Sequence, residues 1–298
     1  MKLKIGIVGM PNVGKSTFLN LITQKNIAQE GEWPFTTIKP NRGIVIYDKK
    51  EFLIIASKFN SKIIKYPELE FIDVAGLVKE ASKGKGLGNE FLSHLKEADI
   101  LIEIVRTFEK ENIPHPEGNI DPKRDHEIIE SELLMSDIKI CEKNQKNEKI
   151  LEKIKQKILK KESLNEEEEK IAKHYGLFVL KKKLVIENGR KNLDWVDFSF
   201  SFKEDFNHNL KIKIIENILH KLKLTFFVTA NENETRISLI KKDSTFTEAA
   251  KIIHSDFEKK MIKVKVIEIK DFLEGKSNFK ILNKNEKIIP EAIYSFII

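Results

Sequence analysis

The chain of 298 residues has one cysteine, two tryptophans and no apolar run long enough to cross a bilayer. A single thiol, Cys141, excludes an intrachain disulfide framework and fits a reducing, cytoplasmic compartment, with Cys141 a plain surface or packing residue. The start, Met1-Lys2-Leu3-Lys4, runs straight into an apolar strand and lacks a signal-peptide cleavage pattern. Glycine and proline are sparse, 13 and 8 residues, so the places where glycines cluster carry information. Charge is plentiful: 53 Lys and Arg stand against 46 Asp and Glu, a formal net charge of +7. That balance favours nucleic-acid or ribosome contact, and a compositionally biased genome explains it equally well.

The sparse glycines concentrate first at Gly9-Met-Pro-Asn-Val-Gly-Lys-Ser16, which reads G-x-x-x-x-G-K-S. This is the phosphate-binding loop of P-loop nucleoside triphosphatases. An apolar run, Lys4-Ile5-Gly6-Ile7-Val8, precedes it as a strand, and residues 17–22 follow as the first turns of a helix. In that setting the backbone amides around Asn12, Val13 and Gly14 curl about phosphate oxygens, aided by the positive end of the helix. Lys15 reaches the β- and γ-phosphates, the Ser16 hydroxyl ligates Mg²⁺, and Thr17 lies beside the phosphates.

Two further motifs complete a phosphate and metal site. Asp73-Val-Ala-Gly76 ends an apolar strand as D-x-x-G, so Asp73 supports the Mg²⁺ shell and the Gly76 amide faces the γ-phosphate. Pro34-Phe-Thr-Thr37 lies between helix and strand, where the Thr37 hydroxyl closes over the γ-phosphate as a third metal ligand. Leu77 follows Gly76 where many GTPases place a water-orienting glutamine, and a leucine side chain cannot orient water. The stretch Gly84-Lys-Gly-Leu-Gly88 has the freedom to order around a nucleotide.

The organisation is α/β: a doubly wound, mostly parallel sheet over residues 1–126 and 176–210, interrupted by a helical hairpin at 127–175. The hairpin contains no glycine or proline, and its isoleucines recur at helical spacing. Ser163-Leu-Asn-Glu166 marks a break and a new helix cap there, which suggests two antiparallel helices. Residues 211–298 form a connecting helix and a smaller α+β domain. In it Ile262, Val264 and Val266 alternate with Lys263 and Lys265, so one strand buries an apolar face and shows a basic one. With Lys259 and Lys260 nearby, that is a phosphate-contacting strip suited to folded RNA.

Residues 9–17, 34–41, 71–79 and 81–94 together resemble the YchF subfamily of Obg-like, translation-factor-class NTPases. Asn112-Ile-Pro-His115, Glu117-Gly118, Asp121-Pro122 and residues 254–260 extend the resemblance over nearly the whole chain. It implies a G domain with a coiled-coil insertion and a C-terminal TGS domain of β-grasp type. It implies hydrolysis of ATP, often in preference to GTP, and binding to the ribosome; the chain itself is expected to be Mg²⁺-dependent and cytoplasmic, and nothing in it signals an obligate dimer. The implied partners are the ribosome, as large subunit or whole particle, and rRNA met through the basic TGS and helical regions, with no membrane. Leu77 then matches a family substitution, and the family's catalytic histidine falls on His115.

One segment departs from that pattern. Asn188 keeps the asparagine of the base-reading motif, but Lys191 stands where the family has glutamate and cannot accept a base's N–H bonds. The stretch after Asn192 is also short, and Glu187 is a candidate to contact the base instead. Two readings stay open at this point: an ATP-preferring hydrolase that cycles on the ribosome, and a nucleotide-binding, hydrolytically silent adaptor with an eroded base pocket.

Overall fold

The computed structural model describes residues 2–27, 41–74, 88–110, 112–144 and 149–297. In chain order the first half runs β1 (Leu3–Val8), α1 (Lys15–Thr23), β2 (Asn41–Ile46), α2 (Lys50–Lys58), β3 (Ile63–Lys65), β4 (Glu68–Asp73), α3 (Gly88–Lys96), β5 (Ile100–Arg106), α4 (Pro122–Asn144), α5 (Ile150–Leu159) and α6 (Glu166–His174). The second half runs β6 (Lys182–Asn188), β7 (Phe198–Phe200), α7 (Phe202–Asp205), α8 (His208–Lys221), β8 (Leu224–Ala230), β9 (Glu234–Lys241), α9 (Phe246–Ile253), α10 (Ser255–Lys260), β10 (Lys263–Glu268), α11 (Ile269–Leu273), β11 (Lys280–Asn283) and β12 (Ala292–Ile297). These elements fall into two units, Leu3–Val45 with Leu69–His208, and Met1–Lys2 with Ile46–Glu68 and Asn209–Ile298.

In the nucleotide-binding unit the strands β2-β4-β1-β5-β6-β7 form one sheet, with β4, β1, β5, β6 and β7 parallel to their neighbours. Every residue of β5 is buried, as a central parallel strand covered on both faces must be. The register pairs Ile7 with Asp73, Val8 with Glu103 and Arg106 with Asn188. It therefore gathers the carboxyl ends of β1, β4, β5 and β6, where open α/β sheets bind ligands.

Among the described residues the inserted region holds three helices, α4, α5 and α6, and not the expected pair. Its first helix begins at Pro122, whose fixed φ and missing N–H suit a first helical position. The break at Ser163-Leu-Asn-Glu166 is a helix start: the Asn165 side chain accepts from the Glu168 amide at 2.9 Å, and Glu168 accepts from the Asn165 amide at 2.8 Å. Cys141 is buried with Leu151, Ile154, Ile158, Ala172 and Leu177, a packing residue of this small core. β7 stops at Phe200, and α7 starts at Phe202.

The C-terminal unit is an α+β sheet ordered β11-β10-β12-β8-β9-β3, with the final strand β12 parallel to β8 in the β-grasp manner. β3 joins its edge parallel to β9, pairing Ile63 with Glu234 and Lys65 with Arg236. Phe52 packs edge-on to Phe226 at 5.2 Å, so residues 46–68 cluster here although the sequence reading left them with the nucleotide-binding domain. Phe227 stacks on Tyr294 at 4.7 Å in the core beneath α9. Ile262 is 63% exposed and precedes β10; Met261 is the buried neighbour instead. Lys263 and Lys265 face outward while Val264 and Val266 are buried.

Because Phe227 is fully buried, Phe227→Ala is expected to destabilise the C-terminal unit by about 3–5 kcal/mol. Hydrogen exchange of the β8 and β12 amides checks this; unchanged protection would refute it.

Candidate active site

The loop after β1 has the backbone that phosphate binding needs. Gly9 has φ 149°, and a Cβ there would lie 2.6 Å from the Ile104 carbonyl oxygen. Gly14 has φ 103°, and a Cβ there would lie 2.6 Å from Asn188 Nδ2. Asn12 adopts the left-handed conformation at φ 62°. The α1 ladder begins with the Phe18 amide on the Gly14 carbonyl at 2.8 Å, so the amides of Lys15, Ser16 and Thr17 open toward the loop. No side chain caps this helix and no acid sits in its first turn, which leaves its positive end to an anion.

Lys15 is buried, and its Nζ donates to the Met10 carbonyl at 2.8 Å. Burial lowers its pKa to about 8, with the charge of Asp73 pulling the other way. Asp73 is 1% exposed. Its Oδ2 accepts from Ser16 Oγ at 2.7 Å, while its Oδ1 is buried with no hydrogen-bond partner among the described residues. Burial raises the Asp73 pKa, against the pull of Lys15 and Ser16. A buried carboxylate with a spare oxygen beside a hydroxyl is a donor set for a hard, oxygen-seeking divalent cation such as Mg²⁺. Thr37 and Gly76, expected to meet the metal and the γ-phosphate, lie outside the described residues, as do Leu77 and residues 84–87.

His115 lies on the loop between β5 and α4, close to the phosphate loop: Asn12 Nδ2 donates to the Pro114 carbonyl at 3.1 Å. Its ring is 2% exposed, with Nε2 2.8 Å from Asp125 Oδ2 and Nδ1 accepting from the Glu117 amide at 3.2 Å. Arg106, at the end of β5, ties the same loop by donating from Nε to the Phe108 carbonyl and from Nη2 to the Ile113 carbonyl, both at 3.0 Å. The next residue along α4 after Asp125, His126, meets the buried Glu103 through Nδ1 at 2.9 Å, and this hydrogen bond raises the His126 pKa.

At the base-reading position the side chain of Asn188 serves the scaffold. Its Nδ2 donates to the Val13 carbonyl at 3.0 Å, and its Oδ1 accepts from the Phe202 amide at 3.3 Å. Glu187 does not face a base. It is fully buried, with Oε1 accepting from Thr107 Oγ1 at 2.5 Å and from the Lys191 amide at 2.6 Å, and Oε2 accepting from the Leu193 amide at 3.1 Å. Burial pushes its pKa up, but these hydrogen bonds prevail and hold it below the usual range. The Lys191 side chain is exposed. A hollow beside α1, lined by Thr17, Leu21, Gln24, Lys25 and Lys203 among others, offers no carboxylate. Asp125 and Arg106 belong to no phosphate-loop motif, and the Asn12–Pro114 link joins that loop to a residue 102 positions away, so no local pattern marks them.

A family description, 50S ribosome-binding GTPase, matches residues 4–182, and the C-terminal domain of YchF GTPases, described as a protein of unknown function, matches residues 224–293. The ribosome-binding ATPase YchF of Buchnera aphidicola from Acyrthosiphon pisum is 34% identical over 336 residues, covering 94% of this chain and 92% of that protein. The Obg-like ATPase 1 of Gallus gallus is 34% identical, covering 92% of this chain and 85% of its own length. The structure of the Schizosaccharomyces pombe YchF GTPase superposes with a TM-score of 0.75 at 26% identity, covering 99% of this chain and 97% of that one.

Phosphate bound beside Lys15 favours its charged form. Nucleotide affinity is therefore expected to be flat below pH 8 and to fall up to about tenfold per pH unit above it. Calorimetry in buffers of different ionisation enthalpy should show proton uptake on binding near pH 8; none would contradict the role of Lys15.

Proposed function

This chain belongs to the YchF family of P-loop nucleoside triphosphatases, and from that membership we propose that it hydrolyses ATP with Mg²⁺ as a cytoplasmic, ribosome-associated switch. The observation that carries the reading is the cluster of buried Lys15 and Asp73 with half-buried Ser16 beside the open amides of α1. Lys15 and those amides would bind the β- and γ-phosphates. Ser16 and Asp73, with Thr37 from the loop before β2, would hold the metal, which supplies neutralisation of phosphate charge. Gly76 would add its amide to the γ-phosphate, and Asn188 would keep the phosphate loop in shape. In hydrolysis the water oxygen bonds the terminal phosphorus as the bond to the bridging oxygen breaks, and the water's proton leaves with inorganic phosphate. Leu77 cannot orient that water, and His115, tied beside Asn12, is the residue proposed to do so.

The preference for ATP is argued from chemistry. Guanine presents an N1–H and an amino group that need acceptors; Lys191 offers none, Glu187 is taken by the Thr107 hydroxyl and two backbone amides, and the hollow beside α1 is lined by no carboxylate. Leaving one donor unmet costs about 1–3 kcal/mol, so ATP is expected to outperform GTP in kcat/KM by roughly tenfold. Phosphate release from the two nucleotides tests this together with His115→Ala, which should lower kcat by about 10²–10⁴-fold while leaving binding intact. Tight binding without phosphate release by the unaltered protein would instead favour the silent adaptor.

Ribosome contact is proposed through the outer face of β10, where Lys263 and Lys265 stand exposed opposite Asn283 and Ile281 of β11. Such a strip would read phosphate positions on folded rRNA. Charge reversal of both lysines is expected to weaken co-sedimentation with ribosomes and to flatten its salt dependence by about two contacts. An unchanged salt slope would place the contact elsewhere.

A further inference from the structure

The ring of His115 has a defined tautomer. The Glu117 backbone amide can only donate, so Nδ1, which receives it, carries no proton. Nε2 therefore bears the hydrogen and donates it to Asp125 Oδ2 at 2.8 Å. Asp125 is 1% exposed and stands in the first turn of α4, its own amide bonded to the Asp121 carbonyl at 3.0 Å. Its second oxygen accepts from Arg124 Nε at 3.3 Å and Nη2 at 3.0 Å, and Arg124 also grips the Asn119 carbonyl and side chain, each at 2.6 Å. The carboxylate is thus fixed to a 23-residue helix, while the loop that carries the ring is held through backbone carbonyls.

The two ring contacts are unequal. Nε2 has a short bond to a buried carboxylate, whereas Nδ1 has a longer one to an amide of its own loop, which a small loop shift would release. We infer that Asp125 is a positioning residue for hydrolysis. It holds His115 as the Nε2–H tautomer, so that Nδ1 is the atom that accepts a hydrogen bond from the attacking water. The role rests on the reading of His115 as the water-positioning group. A carboxylate placed only to anchor α4 has its charge answered by Arg124 and needs no particular tautomer in its neighbour.

Asp125→Asn keeps the shape but replaces the oxygen pair by an amide that can offer a proton and invert the tautomer. In the otherwise unaltered chain it is expected to lower kcat by about tenfold or more, with nucleotide affinity within about twofold of the parent. In the His115→Ala chain the same substitution is expected to change kcat little, because the residue it acts through is gone. Unchanged kcat in Asp125→Asn, a fall in affinity matching the fall in kcat, or the same fold-loss in both backgrounds would each overturn the inference. His115→Ala with full turnover would overturn the histidine reading beneath it, and that outcome is seen before Asp125 is touched. If Asn at this position lowers soluble yield, Asp125→Ala, which removes the acceptor altogether, supports the same two-background comparison.

Discussion

The burial of one ammonium group under the phosphate loop is the constraint on which the site depends. Taking Lys15 out of water costs several kcal/mol unless its charge is answered. The Met10 carbonyl and the charge of Asp73 answer it, and both can do so only if β1 and β4 end side by side. The loop can turn back over Lys15 only because Gly9 clears the Ile104 carbonyl of β5 and Gly14 clears Asn188 of β6. Four parallel strands are therefore bound to one register by a single buried charge and two missing side chains.

A second set of constraints spreads from β5. Arg106 at its end is 1% exposed, stacked 4.4 Å above the Phe108 ring, with two of its three nitrogens spent on loop carbonyls. Glu103, three residues earlier and fully buried, is met by His126. Consecutive residues of α4 thus carry separate tasks, Asp125 toward the His115 loop and His126 toward the sheet. The start of α4 is pinned from both sides, and the loop before it is bounded by the phosphate loop at Asn12, the strand end at Arg106 and the helix at Asp125. Hydrolysis assigned to a residue on that loop gains its geometry from this enclosure and not from the loop's own composition.

The parallel strands, the phosphate loop and the cap at Asn165 were legible because their signals are local: a run of apolar residues, glycines at fixed spacing, an acceptor three residues before a glutamate. Position within the fold was less legible. Residues 46–68 alternate helix and strand like their neighbours, and nothing in them announces that β3 pairs with β9, far along the chain. Asp125 reads as one charge among many in a charged helix start, and only the ten-residue return of the chain shows it against His115. Glu187 looked like a spare acid near the base, whereas three donors from the turn that follows β6 and from β5's exit consume it.

The fate of Glu187 bears on what the short segment after β6 can recognise. A turn of this length has to satisfy its own amides, and here it takes the nearest carboxylate to do so. Lys191 then projects outward with no acceptor to offer, and Asn188 is held by Val13 and Phe202. The groups proposed for phosphate recognition come from the ends of four strands, whereas Asn188, Glu187 and Lys191 at the base-reading segment leave a base no acceptor. The proposed preference for ATP rests on this difference, because guanine has more donors to satisfy than adenine and would leave more of them unmet.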